Sequence, residues 1–200
     1  MHKWRNLTFL AVAELLVMTL WFSGSAVVEQ LTQEWGLTDT QKSWMTMSVQ
    51  IGFVVGALLS AIWNLADRVS ARVLFAVCAL CGAACTASIP FFDVGPNTAL
   101  TLRFFTGFFL AGVYPPGMKL MATWCKEDRG LGIGILVGAL TVGSATPRLL
   151  LALGNSPWRE VLGTVSMMAV VGSAIALLLV REGPFLRRRP GSTGGWQPRR

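Results

Sequence analysis

Three ionisable side chains sit where water should be scarce. Glu14 falls inside the apolar run Leu7–Val28, Arg103 inside Thr98–Met121 and Arg148 inside Leu131–Leu153. At 1.5 Å of rise per helical residue, Glu14 lies about 10 Å into its run and Arg103 a similar depth from the opposite surface. An ionised group in hydrocarbon costs from about 2.5 kcal/mol upward, so such residues should face protein or a water-filled cavity. A carboxyl there can take up a proton or a cation. A guanidinium there can hold an anionic group or take part in proton coupling. The competing reading is mechanical, since polar groups also hydrogen-bond one helix to another. Arg148 lies near the outer end of its run, from which it can snorkel to the interface or line a cavity.

Little other chemistry is available. His2 is the only histidine, so a Ser-His hydrolase would lack its base and an enzyme is not expected. Cys78, Cys81 and Cys85 recur at i, i+3 and i+7 within one apolar run, and the fourth cysteine is Cys125. A zinc or redox CxxC needs a wettable place and further ligands. These thiols read as small packing residues, and neither a metal nor a cofactor is expected.

The elements that must position the charges follow from composition. Of 200 residues, 53% are hydrophobic and 14% charged, with a mean hydropathy of +0.56. A soluble domain carries about 25% charged residues, and a chain this apolar could not cover its surface in water. The hydrocarbon core, about 30 Å thick, is crossed by about 20 apolar helical residues. Six stretches meet that length: Leu7–Val28, Ser43–Leu65, Val73–Phe92, Thr98–Met121, Leu131–Leu153 and Val161–Val180. An all-α polytopic bundle of six transmembrane helices is expected over residues 1–182.

Orientation follows from the basic residues. The net charge of +7 does not form a nucleic-acid face, because its Lys and Arg occupy short breaks between apolar runs. With the amino terminus inside, inner segments hold Lys3, Arg5, Arg68, Arg72, Lys119, Lys126, Arg129 and the residues from Arg181 onward. Outer segments hold Lys42 and Arg159 against Glu29, Glu34, Asp39, Asp93 and Glu160. That asymmetry places both termini in the cytoplasm of a plasma (inner) membrane protein. Trp4, Trp35, Trp44, Trp63, Trp124 and Trp158 fall near span ends, where indoles anchor. The first run is longer than a signal-peptide h-region and contains Glu14, so it reads as a retained span. Residues 183–200 are Arg-, Gly- and Ser-rich and read as a basic, disordered tail.

Small residues and prolines complete the pattern. Gly52, Gly56 and Ser60 repeat every four positions in the second span, as do Gly130, Gly134 and Gly138 in the fifth. Each set leaves one helix face open to close backbone approach, either as static packing or as a sliding surface. Pro115 and Pro116 remove two donors near the inner end of the fourth span and must kink or end it. Pro147, beside Arg148, could bend the fifth. Either could be a hinge or a static kink.

The loop Leu65-Ala66-Asp67-Arg68-Val69-Ser70-Ala71-Arg72 resembles the signature G-x-L-A-D-R-x-G-R-[RK] of the major facilitator superfamily. Leu65, Ala66, Asp67, Arg68 and Arg72 keep its register, while Trp63 and Ser70 stand where that family has glycine and Ala71 replaces a basic residue. Arg103-Phe104-Phe105-Thr106-Gly107, Tyr114-Pro115, Trp124 with Asp128-Arg129-Gly130, and Pro157-Trp158-Arg159 are similar to further elements of the same family. The fifth span lacks the Gly-Pro pair of its drug antiporters. The resemblance covers roughly residues 5–182. It implies half of that fold, two inverted three-helix repeats, with Glu14 and Arg103 facing a central cavity. It also implies that Asp67, Arg68 and Arg72 latch a cytoplasmic gate.

A whole carrier of this kind needs about six further spans for the facing wall of the cavity. The expected function is therefore transport of a small solute, anionic if the arginines contact it, as the amino-terminal half of an alternating-access carrier that is incomplete or inactive alone. One alternative is a half-transporter acting as a homodimer or beside a separate second half. An alternative of another class is a non-catalytic six-span assembly subunit.

Overall fold

The computed structural model describes residues 2–154 and 156–185, apart from the side chains of Ala66 and Asp67. Eight helices run through them: α1 His2–Trp35, α2 Asp39–Ile62, α3 Leu65–Arg68, α4 Ala71–Phe91, α5 Pro96–Leu110, α6 Tyr114–Ala122, α7 Arg129–Gly154 and α8 Trp158–Leu178. Five of them (α1, α2, α4, α7 and α8) are long and apolar enough to cross a membrane alone. The fourth expected span is the pair α5 and α6, so six crossings are made by seven helices, with α3 a single turn in the loop between α2 and α4.

The ends follow local chemistry. α1 stops at Gly36, whose φ of 63° is left-handed and costs glycine nothing, and whose N–H donates to Thr32 O at 2.9 Å. α2 starts on a capping box. The Gln41 N–H donates to Thr38 Oγ1 at 3.3 Å while the Thr38 N–H donates to Gln41 Oε1 at 3.0 Å.

The break in the fourth crossing lies at Ala111–Val113, just ahead of the prolines. Pro115 and Pro116 cannot donate to the carbonyls four residues back, at Ala111 and Gly112, so the ladder is interrupted there. The chain tightens instead: Gly112 N–H donates to Phe109 O at 2.8 Å and Val113 N–H to Leu110 O at 3.0 Å. Both prolines then occupy the first turn of α6, where their missing N–H groups would have been unpaired anyway. Pro147 behaves differently. It is buried within α7, which continues through it, as α4 continues through Pro90.

The packing has the symmetry of two three-helix repeats. The principal contacts are α2 with α5, α1 with α7, α1 with α8, α4 with α5, and α4 with α8. Exchanging spans one, two and three for spans four, five and six maps this set onto itself. An odd number of crossings per repeat makes the two copies inverted. α1 is the hub: α8 and α7 pack against it along its length, and α2, α4, α5 and α6 touch it too.

Glycine decides how closely two of these pairs approach. A Cβ at Gly52 or Gly56 would overlap the carbonyls of Phe104 or Phe108 on α5, and one at Gly107 would overlap the carbonyl of Val49 on α2. The second-span stripe is therefore a real interface, and Ser60 continues it half-buried. The fifth-span stripe is not. Gly130, Gly134 and Gly138 are exposed and nothing lies within 4 Å of a Cβ built on them. Gly132 and Gly143 do the packing instead: a Cβ added at Gly132 would run into Met121 Sδ, and one added at Gly143 would stand 2.9 Å from Leu15 O. The four-residue period identifies a face, but it does not say which face meets α1.

A methyl group at Gly52 must push two backbones apart, so Gly52→Ala is expected to cost about 1–3 kcal/mol. Gly134→Ala on the open face should be neutral within about 0.5 kcal/mol. Thermal unfolding in detergent checks this, and equal shifts for the two variants would contradict the assignment.

Candidate functional site

The two deepest ions both belong to α1 or grip it. Arg103 on α5 is 1% exposed. Its Nη1 donates to Leu20 O at 2.9 Å and to Ser23 Oγ at 3.1 Å, and its Nη2 donates to Trp21 O at 2.8 Å. Gly24 completes the seat, because a Cβ there would fall 2.7 Å from Arg103 Nε. Nε itself is buried without a hydrogen-bond partner. The guanidinium is thus solvated by main-chain dipoles of an intact helix, and no carboxylate pairs with it among the described residues.

Glu14 is 0% exposed, and neither carboxyl oxygen has a hydrogen-bond partner. The carboxyl lies against Gly117 in the first turn of α6, where an added Cβ would meet Oε2 and would stand 3.2 Å from Cδ. Tyr114, one turn earlier, is within electrostatic reach of it. From Glu14 to Leu20 is six residues of α1, about 9 Å along the axis, and Glu14 and Arg103 form no ion pair.

Both charges are therefore sheltered by protein, as intramembrane ions must be. They are enclosed within the six-helix unit rather than open on one of its faces, which differs from the expected cavity lining. The reason is the close approach that Gly24 and Gly117 permit, which lets α5 and α6 close over the two side chains. Arg148 takes the other course, exposed on α7.

At the loop between α2 and α4, the departures from glycine require no positive φ at either position. Trp63 has φ −85° and ψ −1°, Ser70 has φ −56°, and the left-handed step falls on Asn64 at φ 50°. Asparagine tolerates that conformation far better than a branched residue. The side chain of Asp67 lies outside the described residues. Arg68 is exposed at the end of α3. Arg72 turns inward, its Nη1 donating at 3.2 Å to Val180 O just past the end of α8, where a cation suits the negative end of the helix dipole.

Each membrane face carries a clamp that the sequence pattern does not assemble. At one end of the bundle, Arg159 joins Glu34 at 2.7 Å and Asp93 at 2.5 Å, and Trp158 Nε1 donates to Glu34 Oε2 at 2.6 Å. These contacts tie the end of α1 and the α4–α5 loop to the start of α8. At the other end, Lys3 pairs with Asp128. Arg181 N–H donates to Asn6 Oδ1 and Gly183 N–H to Thr123 Oγ1, both at 2.8 Å, while Trp124 Nε1 donates to Arg181 O at 2.8 Å. The segment 181–185, which straddles the start of the tail expected from residue 183, is hydrogen-bonded to α1 and to the end of α6. The tail beyond 185 lies outside the described residues. In the sequence the outer acids show only as loop charges; the arrangement that brings them together is tertiary.

Two measurements test this geometry. Arg103→Met removes a buried charge but leaves Leu20 O and Trp21 O in their helical bonds, so stability should be unchanged or higher. A loss above about 2 kcal/mol would make Arg103 a structural anchor. The hydrogen bond from Lys3 holds the Asp128 carboxyl below its usual range. Its contribution is therefore full above the ordinary aspartate value, about 3.9, and lost as pH falls through the lower folded value. A distance between spin labels at the exposed neighbouring positions Trp4 and Glu127, which leave Lys3 and Asp128 in place, should stay constant from pH 7 to 5 and lengthen only below that window. Lengthening by pH 6 would contradict it.

Known proteins share this fold. The family profile described as Major Facilitator Superfamily matches residues 10–200. A puromycin resistance protein of Streptomyces alboniger is 26% identical over 194 residues, covering 93% of this chain and 38% of the relative. Two crystal structures of a bacterial homologue of the human lysosomal transporter Spinster have a similar fold. The inward-facing, unoccupied form superposes with a TM-score of 0.74 at 19% identity, over 98% of this chain and 46% of that one. The inward-facing, occupied form gives 0.72 at 18%, over 89% and 44%. The chain thus spans less than half the length of each of these relatives.

Proposed function

The chain belongs to the major facilitator superfamily, and on that premise we propose that it supplies the amino-terminal half of a secondary carrier working by alternating access. A multi-pass membrane protein of this family points to solute transport rather than to catalysis. The observation that carries the finer reading is Glu14: a fully enclosed carboxyl with no partner, held on the hub helix beside the broken fourth crossing. A group in that state accepts a proton or a cation more readily than it remains an isolated anion in a medium without water. Glu14 is assigned the coupling role, and Arg103 the role of a fixed cation held against the same helix.

The solute is proposed to be small and anionic, since two of the three intramembrane ions are cationic and Arg148 is open on α7. The relative confers puromycin resistance, but no Gly-Pro pair precedes or includes Pro147 here, so a drug is not the favoured solute. Large apolar side chains are exposed along α2 (Val54, Leu58 and Ile62) and α7 (Val137, Val142 and Leu149). These faces suit either lipid or a second six-helix half, supplied by another segment, another chain or a second copy. The cytoplasmic latch is assigned to Asp67, Arg68 and Arg72, with both termini inside a plasma membrane.

In a carrier assembled with a second half, Glu14→Gln should abolish pH-dependent uptake in proteoliposomes while leaving folding intact. Unchanged uptake would remove Glu14 from coupling. Uptake by a chain that crosslinking shows to be strictly monomeric would overturn the half-carrier reading itself.

A further inference from the structure

The isolation of Glu14 has a cause in the sequence of α6. The start of a helix normally leaves four backbone N–H groups free, and together with the positive end of the dipole they favour an ionised carboxylate placed beside them. Glu14 lies beside such a start, against Gly117 in the first turn of a nine-residue helix. Yet it receives no hydrogen bond.

The amides can be accounted for one by one. Val113 N–H donates to Leu110 O at 3.0 Å. Pro115 and Pro116 have no N–H. Gly117 N–H donates to Val113 O at 2.9 Å. Only the Tyr114 amide is left of the usual set, and it does not reach the carboxyl. Meanwhile Gly117 is the residue that lets the carboxyl in, because any side chain there would occupy its seat.

The other elements around Glu14 do not compensate. Along this stretch of α1, Gly143 of α7 faces Leu15 and Gly172 of α8 faces Ala13 and Val17, and the core cluster that holds Ala13 and Val17 also includes Phe75, Leu110, Val113, Val165 and Ala169, with Phe53 packed against it. The titratable groups in this layer are Tyr114 on α6 and Cys78 on α4, whose Sγ contacts Gly112. Arg103 is engaged one and a half turns away with Leu20, Trp21 and Ser23.

We propose that Pro115, Pro116 and Gly117 are positioning residues for proton binding: the glycine admits the Glu14 carboxyl to a helix start from which the prolines have removed the donors that would hold it as an anion. The inference rests on the reading of Glu14 as the proton-binding group, and it adds why that group is placed at the break in the fourth crossing. Any movement that brings free amides or water to Glu14 at this break releases the proton.

Infrared titration of the full chain in lipid nanodiscs tests it without needing a substrate. The unmodified chain should show the carbonyl stretch of a protonated carboxylic acid at the high frequency of one that accepts no hydrogen bond, and Glu14→Gln should delete it. If that band never appears, the assignment of Glu14 as a proton site fails, and this proposal with it. If the band appears, Pro115→Ala/Pro116→Ala restores two amides and should lower the ratio of protonated to ionised Glu14 roughly three- to tenfold at a given pH. An unchanged ratio, with amide exchange slowed across residues 111–117, would show that the prolines only break the helix and would overturn the proposal while leaving the Glu14 assignment intact. Gly117→Ala is the second arm, for use if the double variant does not fold. Expelling the carboxyl should move the band to the frequency of a hydrogen-bonded acid, and an unmoved band would equally overturn the proposal.

Discussion

A bilayer interior offers no water to a charge or to an unpaired backbone group, and every distinctive feature of this molecule answers that constraint. α1 is the main answer. It is long, unbroken and central, so it can present carbonyl dipoles to the Arg103 guanidinium at 2.8 and 2.9 Å without giving up its own ladder. It also carries Glu14 into the middle of the bundle, where α6 closes over it. Take away the close packing of α5 and α6 on α1 and both ions would face lipid.

The same constraint explains where the chain can be irregular. The fourth crossing breaks at residues 111–113, and the break is tolerable because the turn pairs its amides at once and, of the next three residues, only Tyr114 has an amide at all. It is buried among Cys78, Gly56 and the core that holds Val17 and Phe75 rather than turned to lipid. Among the described residues the ion pairs lie at the two ends of the bundle, Arg159 with Glu34 and Asp93 at one and Lys3 with Asp128 at the other. Exposed pairs of this kind contribute little individually. Their value is geometric, since each clamp joins the first repeat to the second at an end where α1 protrudes.

Much of this is legible in the residues alone. Composition, six apolar runs and the distribution of arginine and lysine are consequences of the solvent, and a membrane imposes them on every helix separately. The family signature at Leu65–Arg72 and the sheltering of Glu14 and Arg103 follow from similar one-dimensional rules. What escapes such rules depends on rotation about a helix axis. Gly130, Gly134 and Gly138 have the same spacing as Gly52 and Gly56 but point away from the bundle, while Gly132 and Gly143 pack. Ser23 and Gly24 pass for small residues of no consequence in the sequence, and they form the seat of Arg103. The prolines announce a break in the helix, but their effect on a carboxyl a hundred residues earlier emerges only from the fold.

The claim on which the rest stands is that main-chain oxygens of α1, and not lipid phosphates, solvate Arg103. Solid-state NMR of the chain in bilayers can measure it directly, with ¹⁵N in the Arg103 guanidinium, ¹³C in the carbonyls of Leu20 and Trp21, and ³¹P in the headgroups. The account predicts strong dipolar dephasing of the Arg103 nitrogens by those two carbonyls and none by phosphorus. Dephasing by phosphorus, with the carbonyls silent, would mean that the side chain snorkels to the surface and that the enclosed polar spine of α1 does not exist.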